Sequence, residues 1–200
     1  EIGSGLVGSE MCIRDRCNIM EIEPHSTFTK HIQKWLPVTN GFLDLENYAL
    51  LTVYERYGKN GNISHGIVGN TIKKKGAIAT SWAHDHHNVM VLGNDVDDMV
   101  LAQKEIIKMQ GGYVVVKEHK IIASAALEVG GIVSERTIEE IGEDIDNVRK
   151  AMQDLGYVHD NEIMSFSTLS LLVSPQLKIS DKGMIDTTKQ KIIKMVEEIR

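Results

Sequence analysis

The sequence predicts an α+β fold: a mixed or antiparallel sheet built from hairpins, with covering helices. Short apolar runs rich in Val, Ile and Ala recur through the middle of the chain, and Gly, Asn and Asp turn signals separate them. Two segments, 94–111 and 137–156, instead carry apolar residues at steps of three and four, the spacing of a helix with one buried stripe. These helices fall between hairpins. They do not alternate one for one with strands, so a doubly wound parallel sheet is disfavoured.

In chain order, 39–41 is a turn, Tyr48-Ala49-Leu50-Leu51-Thr52-Val53-Tyr54 reads as a strand, and Gly58-Lys59-Asn60-Gly61 reads as a turn from which 62–68 returns as its partner. Apolar flanks on either side of residues 84–88 read as two buried strands. Asn94 is the expected cap of the first helix. Asp95, Asp97 and Asp98 sit in its first turn, where they complement the positive end of the dipole. They read as capping residues and not as a cation site, because a hard-cation loop wants oxygens at tighter alternation and a glycine turn. Gly111-Gly112 ends this helix. Residues 113–117 and 120–127 form a hairpin with a Glu118-His119 corner, where His119 reads as a solvated turn residue. Thr137-Ile138-Glu139-Glu140 has capping-box spacing and opens the second helix. Residues 163–173 read as a buried strand or a short helix, stopped by Pro175. A closing hairpin follows, with an Asp181-Lys182-Gly183 turn, and 188–200 reads as an amphipathic terminal helix through Ile192, Val196 and Ile199.

With 200 residues the chain is long enough for one domain with a sizeable core. Its 28 acidic against 22 basic residues give a net charge of −6 and no general attraction to nucleic acid or to an anionic membrane surface. Lys73-Lys74-Lys75 reads as a solvated turn. The apolar runs fall short of the roughly 20 residues that span a bilayer, so a cytoplasmic location is expected. Cys12 and Cys17 have neither CxxC spacing nor a histidine at zinc-finger distance, so neither a disulfide framework nor a sulfur metal site is expected.

Residues 1–16 have no hydrophobic period, do not begin with Met, and resemble a translated sequencing adaptor. Gly3-Ser4-Gly5-Leu6-Val7-Gly8 satisfies GxGxxG, but no strand precedes it, and the glycines of that motif serve a pyrophosphate only between a strand and a helix. Residues 1–17 are therefore set aside as non-native or adaptor-derived, and 18–36 read as part of an upstream connection.

The densest chemistry in the chain is His84-Asp85-His86-His87-Asn88, which places three of the eight histidines beside a carboxylate and a carboxamide on the link between two buried strands. Imidazole donates, accepts, titrates near neutrality and binds metals, and its polar neighbours can orient it. A plainer reading is that these groups satisfy backbone donors and acceptors in a polar loop.

The stretch Gly76-Ala77-Ile78-Ala79-Thr80-Ser81-Trp82-Ala83-His84-Asp85-His86-His87-Asn88 and the later Asp97-Asp98-Met99 resemble the C-terminal domain of bacterial adenine deaminases, of the amidohydrolase superfamily. Glu55-Arg56, Gly61-Asn62-Ile63, Gly111-Gly112-Tyr113, Gly130-Gly131-Ile132-Val133-Ser134, Thr168-Leu169-Ser170-Leu171 and Pro175–Gly183 extend the likeness in the same order, over 37–186. The family usually has small residues where Trp82 and His86 stand, so two larger rings need room here. A more glycine- and phenylalanine-rich stretch usually occupies 66–73.

The resemblance implies hydrolysis of adenine to hypoxanthine and ammonia in purine salvage. A divalent metal, manganese or iron, supplies the hydroxide and is held by a preceding barrel that this chain does not contain. The implied partners are adenine and that barrel, with a homo-oligomer as a further assembly. No metal ligand of the barrel is assigned here. His84, Asp85, His87 and Asn88, the positions that match the family motif, are the candidate catalytic residues in supporting roles, and His86 is peculiar to this chain. Two other function classes stand beside this one. The first is an autonomous metal hydrolase using His84-x-His86 with Asp85 or His65. The second is a non-catalytic small-molecule-binding or assembly module.

Overall fold

In the computed structural model, which describes residues 14–45 and 47–199, the central strands are buried along nearly their whole length: β4 (Ala49–Tyr54), β6 (Ala77–Thr80), β7 (Val89–Gly93) and β8 (Gly112–Lys117). A strand covered on one face alternates apolar and polar residues, whereas one covered on both faces reads as a continuous apolar run. That is why the sequence showed runs here. The full order is β1 (Arg14–Ile22), β2 (Thr29–Thr39), β3 (Phe42–Leu43), β4, β5 (Ile63–Gly69), β6, β7, α1 (Val96–Lys108), β8, β9 (Lys120–Ala126), α2 (Ile138–Asp154), α3 (Glu162–Ser167) with a 3-10 turn at Thr168–Ser170, then β10 (Leu177–Ser180), β11 (Gly183–Asp186), β12 (Lys191–Ile193) and β13 (Val196–Ile199).

The large sheet has the order β3-β2-β1-β5-β4-β7-β6-β8-β9, with β13 also paired to β1. Only β1 and β5 run parallel among these pairs, so the sheet is mixed and built mainly of antiparallel neighbours. A second sheet, β10-β11-β12, is antiparallel. The α+β expectation holds.

Alternate residues of the central strands point into two different cores. Ala77, Ala79, Val91, Val114 and Val116 pack with Met99, Ala102 and Ile106 of α1. Ile78, Met90, Leu92, Tyr113 and Val115 pack with Val148 and Met152 of α2, with its C-cap Leu155, and with Leu177, Ile179 and Met184 of the small sheet. Thus α1 covers one face, and α2 with the small sheet covers the other.

Several local readings hold. The Asn40-Gly41 turn has both residues at positive φ (53° and 79°), the signature of a type I′ hairpin turn. The β4–β5, β8–β9 and β10–β11 hairpins form where expected. Thr137 caps α2 with a complete capping box. Residues 163–173 resolve to α3 and the 3-10 turn, the helical of the two alternatives.

Three readings are corrected. The N-cap of α1 is Asp95, whose side chain accepts from the amides of Asp97 and Asp98. Asn94 instead accepts from Gly76 N at 3.1 Å and donates to Lys74 O at 3.1 Å, tying the loop before β6 to the end of β7.

The terminal helix expected over 188–200 is two strands, β12 and β13. The reason lies elsewhere in the sheet. Strand β5 pairs only with Ile19–Glu21 of β1, and the rest of that edge is paired by β13 at Asp15, Arg16 and Cys17, with Asn18 N donating to Met195 O. An unpaired buried edge costs more than a short helix gains.

The segment 18–36, read as a connection, instead forms most of β1 and β2, and the boundary drawn at residue 17 falls inside β1. The GxGxxG match and Cys12 lie outside the described residues.

Candidate functional site

The polar run joins β6 to β7, two strands paired in antiparallel register from Ala77 with Gly93 to Thr80 with Met90. Both are fully buried, so the ends from which the loop springs are fixed. Ser81 secures the exit from β6: its hydroxyl donates to Gly131 O at 2.7 Å and accepts from Gly112 N at 2.8 Å. This draws two glycine pairs together. A Cβ on Gly111, which has φ +125°, would meet Gly131 Cα at 2.4 Å, so only glycine fits there.

Within the loop, His84 N donates to Ser167 O at 3.1 Å, and the Ser170 hydroxyl donates to His84 O at 2.5 Å, so the end of α3 and the 3-10 turn after it clamp the backbone of His84. His87 takes a left-handed conformation, φ 49°, and its N donates to Ala83 O at 2.6 Å. From the other side comes Arg56. Its backbone N donates to Asn88 Oδ1 at 3.3 Å, its Nε donates to His87 O, and its Nη2 donates to Gly130 O at 2.7 Å. The Tyr57 hydroxyl donates to His86 O at 2.8 Å.

The candidate residues separate by what their side chains do. Asn88 is 3 % exposed and is spent on the frame, accepting from Arg56 and donating through Nδ2 to Asp181 Oδ1 at 3.3 Å. Asp85 is exposed. His84 and His87 have ring centroids 6.0 Å apart, and each has a buried Nδ1 with no hydrogen-bond partner. Trp82 meets the His84 ring edge to face at 4.8 Å. His86 differs in that its Nδ1 accepts from Asn88 N at 3.0 Å, while its Nε2 is the buried nitrogen with no hydrogen-bond partner.

Burial pushes both the His86 and the His87 imidazole below the ordinary value of 6.5. Next in weight, the Ile179 backbone and Asp181 oppose the shift at His86, while His84 and Arg56 reinforce it at His87. His86 and His87 are thereby favoured in their neutral form, able to accept or relay a proton or to hydrogen-bond a polar ligand.

Among the described residues, the run does not bring three metal-ligating atoms together; the group that does is Asp95, Asp98 and His119, elsewhere in the fold. Among the described residues, the divalent metal expected from the family has no three-ligand site in the run. His65, the other candidate for an autonomous site, has its Nδ1 paired with Thr52 Oγ1 at 3.0 Å.

Sequence reasoning gave no role to Arg56, Tyr57, Ser170 or Asp181. Three of these stand in runs shared with the family, but their partners are dozens of residues away, and spacing along the chain does not report such contacts.

A family model described as the adenine deaminase C-terminal domain matches residues 26–191. The chain is 53% identical over 184 residues to the adenine deaminase of Clostridium perfringens, covering 91% of this chain and 32% of that protein. It is 51% identical over 175 residues to adenine deaminase 2 of Oenococcus oeni, covering 86% and 31%. With the adenine deaminase of Lactobacillus delbrueckii subsp. bulgaricus it shares 46% over 183 residues, covering 90% and 32%. The chain spans about a third of the length of these curated relatives. Its fold, its polar link and its matched residues together make this chain a member of the adenine deaminase C-terminal domain family.

Proposed function

We propose that this chain works as the C-terminal part of an adenine deaminase, converting adenine to hypoxanthine and ammonia in cytoplasmic purine salvage, and that it does so only together with a preceding metal-binding barrel. In this reading the barrel's divalent metal, manganese or iron, supplies the attacking hydroxide. The observation that carries the reading is the pair of buried, unpartnered Nδ1 atoms of His84 and His87 on a loop whose backbone is clamped by Arg56 and Ser170. A buried polar atom without a partner costs roughly 1–3 kcal/mol, so its retention argues for a ligand or a partner domain that completes it.

His84 and His87 would order the substrate or its proton path. Asp85, exposed beside them, would set their polarity, and Asn88 would hold the loop against β4 and the small sheet. The test is made in the full-length protein that carries this domain. His84→Gln, His87→Gln and Asp85→Asn should each lower kcat/KM for adenine on the order of tenfold to a hundredfold, the size of a lost proton-transfer or orienting group, with melting temperatures held close to the parent. Unchanged turnover in all three, whatever happens to stability, would reduce the run to a structural loop.

A further inference from the structure

The first turn of α1 and the tip of the β8–β9 hairpin meet at a second cluster, beyond the opposite end of β7 from the histidine run. Strand β7 leads from that run to Gly93, a path of five residues or about 17 Å at the usual rise, before Asp95 begins the helix. Here Asp95, Asp98 and His119 each offer a ligand atom, all within 4.8 Å of one another. The three come from two elements that the sequence separates by about twenty residues.

Each group has capacity left over from its structural duty. Asp95 uses Oδ1 to accept from the amides of Asp97 at 3.1 Å and Asp98 at 3.2 Å, and its Oδ2 lies 3.8 Å from the exposed Lys75 ammonium. Asp98 is 1 % exposed. Its Oδ1 accepts from His119 N at 2.7 Å and lies 3.1 Å from His119 Nδ1, but its Oδ2 is buried with no partner. A buried carboxylate oxygen without a donor is expensive, and a lysine 3.8 Å from the neighbouring carboxylate does not reach it. A cation seated among the three groups satisfies that oxygen and balances both carboxylates.

We infer that Asp95, Asp98 and His119 form a divalent transition-metal site that ties the start of α1 to the hairpin tip. Two carboxylates and an imidazole suit borderline ions such as zinc, cobalt or manganese, whereas calcium and magnesium prefer an all-oxygen shell. Bonds of about 2.0–2.2 Å place two ligand atoms of one ion roughly 3.2–4.2 Å apart, so the cluster closes by a small movement. His119 is 64% exposed in its side chain and can supply that movement, with water filling the remaining positions.

The site is structural and separate from the proposed deaminase chemistry, and its failure would leave that reading untouched. The test uses untagged chain titrated with Co2+, followed by buffer exchange, metal analysis and visible absorption. The expected result is one cobalt retained per chain with a d–d spectrum and a raised melting temperature, all preserved in a His84→Gln/His87→Gln double variant and lost in His119→Gln. His119 is exposed, so this last variant keeps the fold, and Asp98→Asn should behave alike. No retained cobalt in the parent, retention undiminished in His119→Gln, or loss only in the His84/His87 variant would each overturn the assignment.

Discussion

Arg56 shows how one side chain can settle the shape of a loop to which it does not belong. Its guanidinium spans His87 O and Gly130 O and lies 4.8 Å from the Tyr57 ring, while its own amide holds Asn88. A planar fork makes such divergent contacts where a lysine point charge does not. The histidines it supports were legible in the sequence as a cluster, because adjacent residues need no fold to be neighbours. Which nitrogen of each ring is left free was not legible: it is Nδ1 in His84 and His87 but Nε2 in His86, where Asn88 N reaches Nδ1. His86 illustrates the consequence for pH. Its folded-state value lies below 6.5, chiefly from burial, so on acidification the unfolded chain takes up its proton first. Stability then rises with pH through this region, is fully present above about 6.5, and is lost as the pH falls below it. His87 acts with the same sign, as do His65 and His159, which burial also lowers. A His86→Gln variant keeps those three. Its urea midpoint should therefore fall less steeply between pH 8 and pH 5.5 than that of the parent, and parallel curves would show that His86 is not buried in its neutral form.

At the scale of elements, what the sequence reveals depends on whether an element is stabilised from within. Helix α2 was legible because its start signal is local: the Thr137 side chain accepts from Glu140 N, and Glu140 Oε2 accepts from Thr137 N at 3.0 Å. Replacing Thr137 with Ala should cost about 1 kcal/mol, visible as a lower urea midpoint at unchanged slope, because a capping loss alters stability and not the surface exposed on unfolding. A slope change would mean that α2 frays as a separate unit. The cap of α1 was misplaced by one residue because Asn94 and Asp95 are both good caps, and the loop contacts of Asn94 with Gly76 and Lys74 decided between them. Strand β13 was illegible for a stronger reason. The spacing of Ile192, Val196 and Ile199 satisfies a helix, yet Ile192 is 62% exposed while Ile193 and Met195 pack against the core. That alternation answers to two partners, β11 for Ile192 and Ile193 and the edge of β1 from Met195 onward, the second nearly the whole chain away.

Over the whole molecule, the C-terminal segment completes the sheet at β1, and Cys17 records whether it is in place. Cys17 is fully buried in a small core with Ile19, Leu36, Tyr48 and Ile67, and burial first, then the neighbouring Asp15 carboxylate, pushes its thiol up to about 12. A thiol held there is both inaccessible and protonated, so it reacts only when the structure opens. Closure on its β13 side depends on residues 194–199: Cys17 pairs with Val196, and Asn18 donates to Lys194 O at 2.7 Å and to Met195 O at 2.8 Å. Met195 also packs against all three apolar clusters. In a Cys12→Ser background, a disulfide reagent at pH 8 should therefore label the folded chain slowly and the urea-unfolded chain at once. Removing residues 194–200 should accelerate labelling of the folded chain on the order of tenfold or more, because local opening beside β1 then requires no strand to detach. Equal rates in the full and shortened chains would mean that Cys17 is guarded by β2 and β5 alone, and that β13 is an ornament on an edge already closed.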